Sequence, residues 1–165
     1  MKLKIKVKRL GGVPLPSVID KGEWVDLYSR VHMEIPKPSY AKKEITFHSN
    51  AIPLGVAMKL PAGFEAIVAP RSSTFKNFGI IQSNSIGVID NSYSGNNDEW
   101  KMPVVALKDA EIDMGDRVCQ FRIQLSQKAT LWQKIKWLLS SGIKVVEVEN
   151  LDSEDRGGFG STGVK

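Results

Sequence analysis

Polar and apolar positions alternate from the first residues of the chain. In residues 2–9, Lys-Leu-Lys-Ile-Lys-Val-Lys-Arg, Leu3, Ile5 and Val7 share one face and the lysines the other, the period-two signature of a half-buried strand. Short runs bounded by Gly, Pro, Asn or Ser predict further strands over 44–48, 51–60, 63–69, 79–82, 86–89, 102–107, 117–125 and 143–149. Strands this short and frequent, with a turn signal about every ten residues, imply an all-β sandwich or barrel and leave little room for a parallel α/β design.

One segment departs from that period. Between 128 and 139, Leu131, Trp132, Ile135, Leu138 and Leu139 recur at helical spacing as an apolar stripe, with Lys134 and Lys136 on the polar face and Trp137 off the stripe. The expectation is a short helix packing its stripe on a sheet, with a docking surface for a partner protein or a membrane-surface helix as alternatives. After Asn150 the composition changes again: Gly157, Gly158, Gly160 and Gly163 stand among almost no aliphatics. Such a segment cannot pack a core. Residues 1–150 are therefore expected to form one β domain, including a helical insert at about 127–142, and residues 151–165 a Gly-rich arm that is mobile when empty.

Composition narrows the class. A chain of 165 residues, 42% hydrophobic, buries roughly 70% of its unfolded surface and needs no disulfide or structural metal to hold a core. Cys119 has no second cysteine to pair with, and with His32 and His48 it is too little for a zinc cage, so a reducing cytoplasm fits best. No apolar run approaches the roughly 18 residues of a membrane span, and the lysine-alternating N-terminus does not read as a signal peptide. The net charge of +5 favours polyanions in general, a nucleoside triphosphate as much as nucleic acid.

Five stretches carry candidate chemistry. Pro70-Arg71-Ser72-Ser73-Thr74 places a cation and three hydroxyls after an apolar run, which suits an oxyanion or an ordinary polar turn. In the stretch from Asn84 to Gly95, Asp90 directly follows the strand-like Gly87-Val88-Ile89; it is a turn former or a carboxylate able to activate water, and Tyr93 either packs on a sugar or is a surface aromatic. Asp26 either reaches a hydrated magnesium or is solvated. Gln120 follows the turn Gly115-Asp116-Arg117 and alternates with Cys119 and Phe121, facing a ligand or solvent. The arm gathers Arg156, Phe159, Ser161 and Thr162 in seven residues, as a frayed terminus or as a lid that wraps phosphates and covers a base.

Taken in order, these stretches resemble the homotrimeric dUTP pyrophosphatases, or dUTPases, particularly the compact phage and prophage members. The resemblance covers nearly the whole chain. It implies a jelly-roll-like distorted β-barrel, a homotrimer with shared active sites closed by the arm, and hydrolysis of dUTP to dUMP and pyrophosphate with Mg2+ carried by the triphosphate. Asp90 would activate the water attacking the α-phosphorus, and Tyr93 would pack under the deoxyribose. The hairpin with Asn84, Gly87, Val88 and Ile89 would read uracil. Arg71, Ser72, Ser73 and Gln120 would hold phosphates or the adjoining subunit contact, and Asp26 would meet the magnesium through water. Arg156, Gly160, Ser161 and Thr162 would hold the γ end, and Phe159 would stack on uracil. Stable nucleic-acid binding and membrane association are not expected; the expected location is a cytoplasm, with a protein partner through the insert and a phage or prophage origin in a host cytoplasm left open. The chain departs from the family pattern in the short spacing of Arg156 and Phe159, in Glu23-Trp24-Val25 before Asp26, and in the insert. A dCTP deaminase of the same superfamily, a dUTPase doubling as a protein-binding regulator, and a non-catalytic jelly roll are the competing readings.

Overall fold

The computed structural model describes residues 1–18 and 22–158. In chain order the elements are β1 (Leu3–Arg9), β2 (Val25–Tyr28), β3 (Met33–Ile35), β4 (Ser39–Ala41), β5 (Glu44–Thr46), β6 (Ser49–Pro53), β7 (Val56–Lys59) and β8 (Phe64–Pro70), then the helix α1 (Thr74–Phe78). There follow β9 (Ile80–Gln82), β10 (Gly87–Ile89), β11 (Lys101–Ala106), β12 (Ala110–Ile112), β13 (Arg117–Leu125), α2 (Leu131–Leu138) and β14 (Ile143–Glu147). The chain is mostly β, as the alternation predicts, and its ladders form five small sheets among the described residues.

The four-stranded sheet β10-β8-β13-β2 positions several of the candidate residues. Phe64, Ala66 and Val68 of β8 turn inward and lie opposite Leu125, Ile123 and Phe121 of β13, so the apolar faces of these two strands lie on one side of the sheet. A register shift between Arg117 and Cys119 lets Val118 and Cys119 both face the core. Trp100 meets Phe121 edge to face at 5.2 Å in the centre of that core.

Three expectations change in detail. The run 51–60 is two strands, not one: Gly55 adopts a φ of +66°, and a Cβ there would come within 2.8 Å of Val13, so the chain bends and β6 and β7 join different sheets. The helix starts later than 128, because the Thr130 hydroxyl and the Gln133 side chain cap each other's backbone N–H groups. Its orientation is also the reverse of the expectation. Trp137 packs on Phe64 at 5.3 Å between ring centroids, whereas Leu131, Trp132, Leu138 and Leu139 of the stripe are at least 70% exposed. Gln133, one turn before Trp137, fills the space over Gly63 that a Cβ would occupy. α1 and the three-residue strands β3, β4 and β12 are too short for periodicity to announce.

β14 runs parallel to β1, and β1 runs antiparallel to β7, so the two ends of the β body close against each other. The first part of the arm is anchored there: Leu151 is fully buried, and Lys59 Nζ donates to the carbonyls of Leu151 and Asp152.

Candidate functional site

β10 pairs antiparallel with the end of β8, and Gly87 is the residue that allows the approach, since a Cβ there would press on Val68 at 3.1 Å. Asp90 leaves the end of this short strand with its side chain 57% exposed. The turn that follows is fixed from below. Asn91 Nδ2 donates to the carbonyls of Pro61 at 2.8 Å and Phe64 at 3.1 Å, and the Tyr93 N–H closes back on the Asp90 carbonyl. Tyr93 donates its hydroxyl to the Glu99 carbonyl at 2.9 Å, which fixes its ring in the wall of the cleft. Burial, and then the charges of Asp98, Glu99 and Asp155, push the Tyr93 phenol above its ordinary value, so it serves as a neutral donor.

Asn84, Gly87, Val88, Ile89, Asp90, Tyr93 and Arg156 line one cleft of about 240 Å3, with Lys101, Gly157 and Gly158 among its other walls. Asn84 is oriented by Gln82, whose Nε2 donates to the Asn84 Oδ1 at 2.9 Å and to the Val68 carbonyl at 3.2 Å. That contact directs the amide N–H groups of Asn84 away from Gln82, available to a carbonyl ligand. Arg156 Nη1 lies 2.9 Å from Asp90 Oδ2, so a cation from the arm stands at the carboxylate end of the cleft.

A second group of expected residues lies outside that cleft. Asp26, buried on β2, takes Arg71 Nε at 2.9 Å on one oxygen and Arg117 Nη1 at 3.2 Å on the other. Two guanidinium forks are thereby set side by side at the ends of β8 and β13. Arg71 follows β8, Ser72 is exposed, and Ser73 begins α1 without using its hydroxyl as a cap. Thr74 instead holds this turn, accepting from the Arg71 N–H and donating to the Val118 carbonyl. Gln120 Nε2 reaches the Pro70 carbonyl at 3.4 Å. Phe159, Gly160, Ser161 and Thr162 lie outside the described residues.

Sequence reading missed Asp98, Asn91, Gln82 and Asp155, which touch the backbone or the other site residues and belong to no side-chain pattern. Asp98, buried, accepts from the N–H groups of Gly95, Arg156 and Gly157, each at 2.9 Å. Asp155 accepts from the N–H and the side-chain amide of Asn97, contacts that hold its carboxyl below the ordinary carboxylate value. Arg117 was present in the turn motif and was not singled out. Among the described residues, His32, Glu111 and Asp113 are the group of ligand-type side chains that converge; all three are exposed and none lines the cleft.

The arrangement offers an exposed carboxylate, a tyrosine ring, an oriented amide and a backbone hairpin in one cleft, with a pair of arginines outside it. Known proteins share the chain's sequence and its fold. A family profile described as dUTPase covers residues 31–163. The SPbeta prophage-derived deoxyuridine 5'-triphosphate nucleotidohydrolase YosS of Bacillus subtilis is 43% identical over 164 residues, covering 99% of this chain and all of the relative. The deoxyuridine 5'-triphosphate nucleotidohydrolase of Finegoldia magna is 33% identical over 169 residues, 98% of this chain and 99% of its own. In fold, the chain resembles the dUTPase of Staphylococcus bacteriophage 80alpha solved with dUpNHpp, with a TM-score of 0.61 and 17% identity over 97% of this chain and 98% of that one. A dUTPase from phage phi11 of S. aureus, described with a structural Mg(II) ion, has a TM-score of 0.61 at 15% identity, covering 77% of this chain and 94% of that one. With the profile spanning most of its length and a relative 43% identical end to end, the chain belongs to the dUTPase family.

Proposed function

We propose that the cleft binds dUTP and that the chain hydrolyses it to dUMP and pyrophosphate, Asp90 taking the proton of the water that attacks the α-phosphorus. The observation that carries this reading is the position of Asp90: an exposed carboxylate at the end of β10, on a turn pinned by Asn91, in the same cleft as Tyr93, Asn84 and Arg156. Water activation by a fixed carboxylate needs that exposure on one side and that rigidity on the other. Uracil would meet the backbone of the Asn84–Ile89 hairpin and the amide of Asn84, with the sugar on Tyr93. A hairpin that pairs with uracil leaves donors unmatched when cytosine enters.

The arginines supply the charge that a triphosphate requires. Arg71 and Arg117, with Ser72, Ser73 and Gln120, form the phosphate-binding group, and Arg156 the γ-end contact. Since Arg71 and Gln120 do not line the cleft, the complete site would combine the cleft of one subunit with the arginine pair of another, in a homotrimer whose arms, residues 151–165, close the sites. Phe159, Gly160, Ser161 and Thr162 would complete that closure.

The donor set fits a magnesium ion that arrives with its substrate: one buried carboxylate beside the arginines, with lone pairs left for a metal-bound water, and, among the described residues, no carboxylate cage in the cleft. Magnesium would neutralise phosphate charge and help orient the leaving pyrophosphate. The protein would work in a cytoplasm; among the described residues no helix is long and apolar enough to cross a membrane.

The test is product analysis with dUTP, dCTP, dTTP and UTP in magnesium, for the wild type and Asp90→Asn. dUMP and pyrophosphate from dUTP alone, with kcat lowered about 10²–10⁴-fold in Asp90→Asn, is the expected result. Ammonia from dCTP, or no turnover of any of the four, would overturn the reading.

A further inference from the structure

Gln82 stands where its strand calls for an apolar side chain. Residues of β9 alternate buried, exposed, buried: Ile80 fills the first inward position and Gln82, 4% exposed, the second. A buried amide is tolerated when both of its ends are bonded. Here only one is. Nε2 donates to the Val68 carbonyl at 3.2 Å and to Asn84 Oδ1 at 2.9 Å, while Oε1 is buried without a partner among the described residues. An apolar residue of similar size would avoid that cost, so packing does not account for the amide.

The two bonds set a direction. A backbone carbonyl can only accept, so Val68 obliges Gln82 to turn its NH2 group toward β8. The other hydrogen of the same nitrogen then falls on Asn84, which answers with its oxygen, and the Asn84 Nδ2 hydrogens are left for the cleft that this residue lines. An asparagine amide has nearly the same shape either way round, so without that neighbour Asn84 could offer a base either donors or an acceptor. Its backbone is placed by other means: the Ser83 N–H donates to the Pro103 carbonyl at 2.9 Å, and the Ser85 N–H closes on the Gln82 carbonyl at 3.2 Å. Gly87 leaves room for the relay, since a Cβ there would stand 3.1 Å from Val68 and 3.4 Å from Gln82 Nε2.

We propose that Gln82 is a positioning residue for base selectivity: it carries the polarity of the Val68 carbonyl to Asn84, so that Asn84 presents N–H donors to the carbonyl that uracil has where cytosine has an amine. The proposal rests on the dUTP reading above for what Asn84 meets, and on the hydrogen bonds alone for which way Asn84 is turned. Two substitutions separate shape from polarity. Gln82→Met keeps the length and removes the relay, freeing the Asn84 amide to take either orientation. Gln82→Glu keeps the shape and reverses the polarity: a carboxylic acid has a single proton, and once that is given to the Val68 carbonyl only lone pairs face Asn84, whose NH2 group then turns away from the base.

Three measurements on the full-length protein test it. In the nucleotide-free wild type, the side-chain NH2 hydrogens of Gln82 should exchange at least about tenfold more slowly than those of Asn84. The ratio of kcat/KM for dUTP to that for dCTP, in magnesium, should fall about 5–50-fold in Gln82→Met, mainly through KM, and at least as far in Gln82→Glu, which carries the test alone if the methionine variant does not fold. Asn84→Ala should lower the same ratio, and adding Gln82→Met to it should lower it no more than about twofold further, because Gln82 acts through Asn84. An unchanged ratio in the Gln82 variants, or a full further loss in the double variant, would overturn the proposal, as would equal exchange at the two amides. A wild type that does not turn over dUTP while Gln82 shows its protection would overturn the dUTP reading and the selectivity role with it, leaving only the orientation of Asn84.

Discussion

Asp26 shows how one carboxylate organises two cations. Its oxygens take Arg71 at 2.9 Å and Arg117 at 3.2 Å while the carboxylate itself is nearly inaccessible. An amide in its place keeps one carbonyl acceptor but turns an NH2 group toward the second guanidinium and leaves two cations without a counter-charge, a change that is costly where the carboxylate is buried and less so where Arg117 reaches solvent. Asp26→Asn should lower stability by about 2 kcal/mol, read from the urea midpoint, and raise KM for dUTP. Cys119 offers a second test at this scale. Burial, and then the charge of Asp26, push its thiol far above the ordinary value. The sign follows from proton binding: above about pH 8.5 the unfolded thiol ionises while the folded one keeps its proton, so stability falls as pH rises. The wild type should lose about 1.4 kcal/mol per pH unit above that point relative to Cys119→Ala, and the folded protein should resist alkylation at pH 8.

At the scale of elements, α2 separates what the sequence displays from what packing selects. Its apolar stripe is legible at helical spacing, yet the residue that fastens the helix is Trp137, off the stripe, against Phe64. Shape complementarity over Gly63, where Gln133 lies, decides the face, and hydropathy alone cannot rank one large ring against four exposed aliphatic and aromatic groups. Trp137→Ala should therefore cost about 2–3 kcal/mol in a denaturant melt and Trp132→Ala less than about 0.5 kcal/mol. Equal losses would mean that the stripe is the packed face. Strands with clean alternation, such as β1, β8 and β13, were readable to within a residue or two; β3, β4 and β12 were not, because three residues hold no period. The site divides in the same way. Asn84 to Tyr93 is announced by its residue types, whereas Asp98 recognises N–H groups that every residue but proline carries, so nothing in its partners' side chains could have pointed to it.

At the scale of the molecule, the described part of the arm runs within the one chain from Leu151 in the core to Gly158 over Tyr93. In the proposed homotrimer, an arm that stayed on its own cleft would leave a chain lacking Asp90 and a chain lacking Arg156 unable to repair each other. Mixed oligomers refolded from Asp90→Asn and Arg156→Ala subunits would then show no more activity than the weighted sum of the separate variants. Recovery toward wild type would mean that arms are exchanged, since an exchanged arm would bring an intact Arg156 to an intact Asp90. The backbone grip of Asp98 has one more consequence. Because residue 156 is held by its N–H, where the arm lies is independent of which side chain stands there, proline excepted. Location and chemistry are thus inherited separately: mutation can exchange the head group presented to the nucleotide without rebuilding the path that brings it there, and position 156 becomes a place where selectivity can drift while the scaffold stays unchanged.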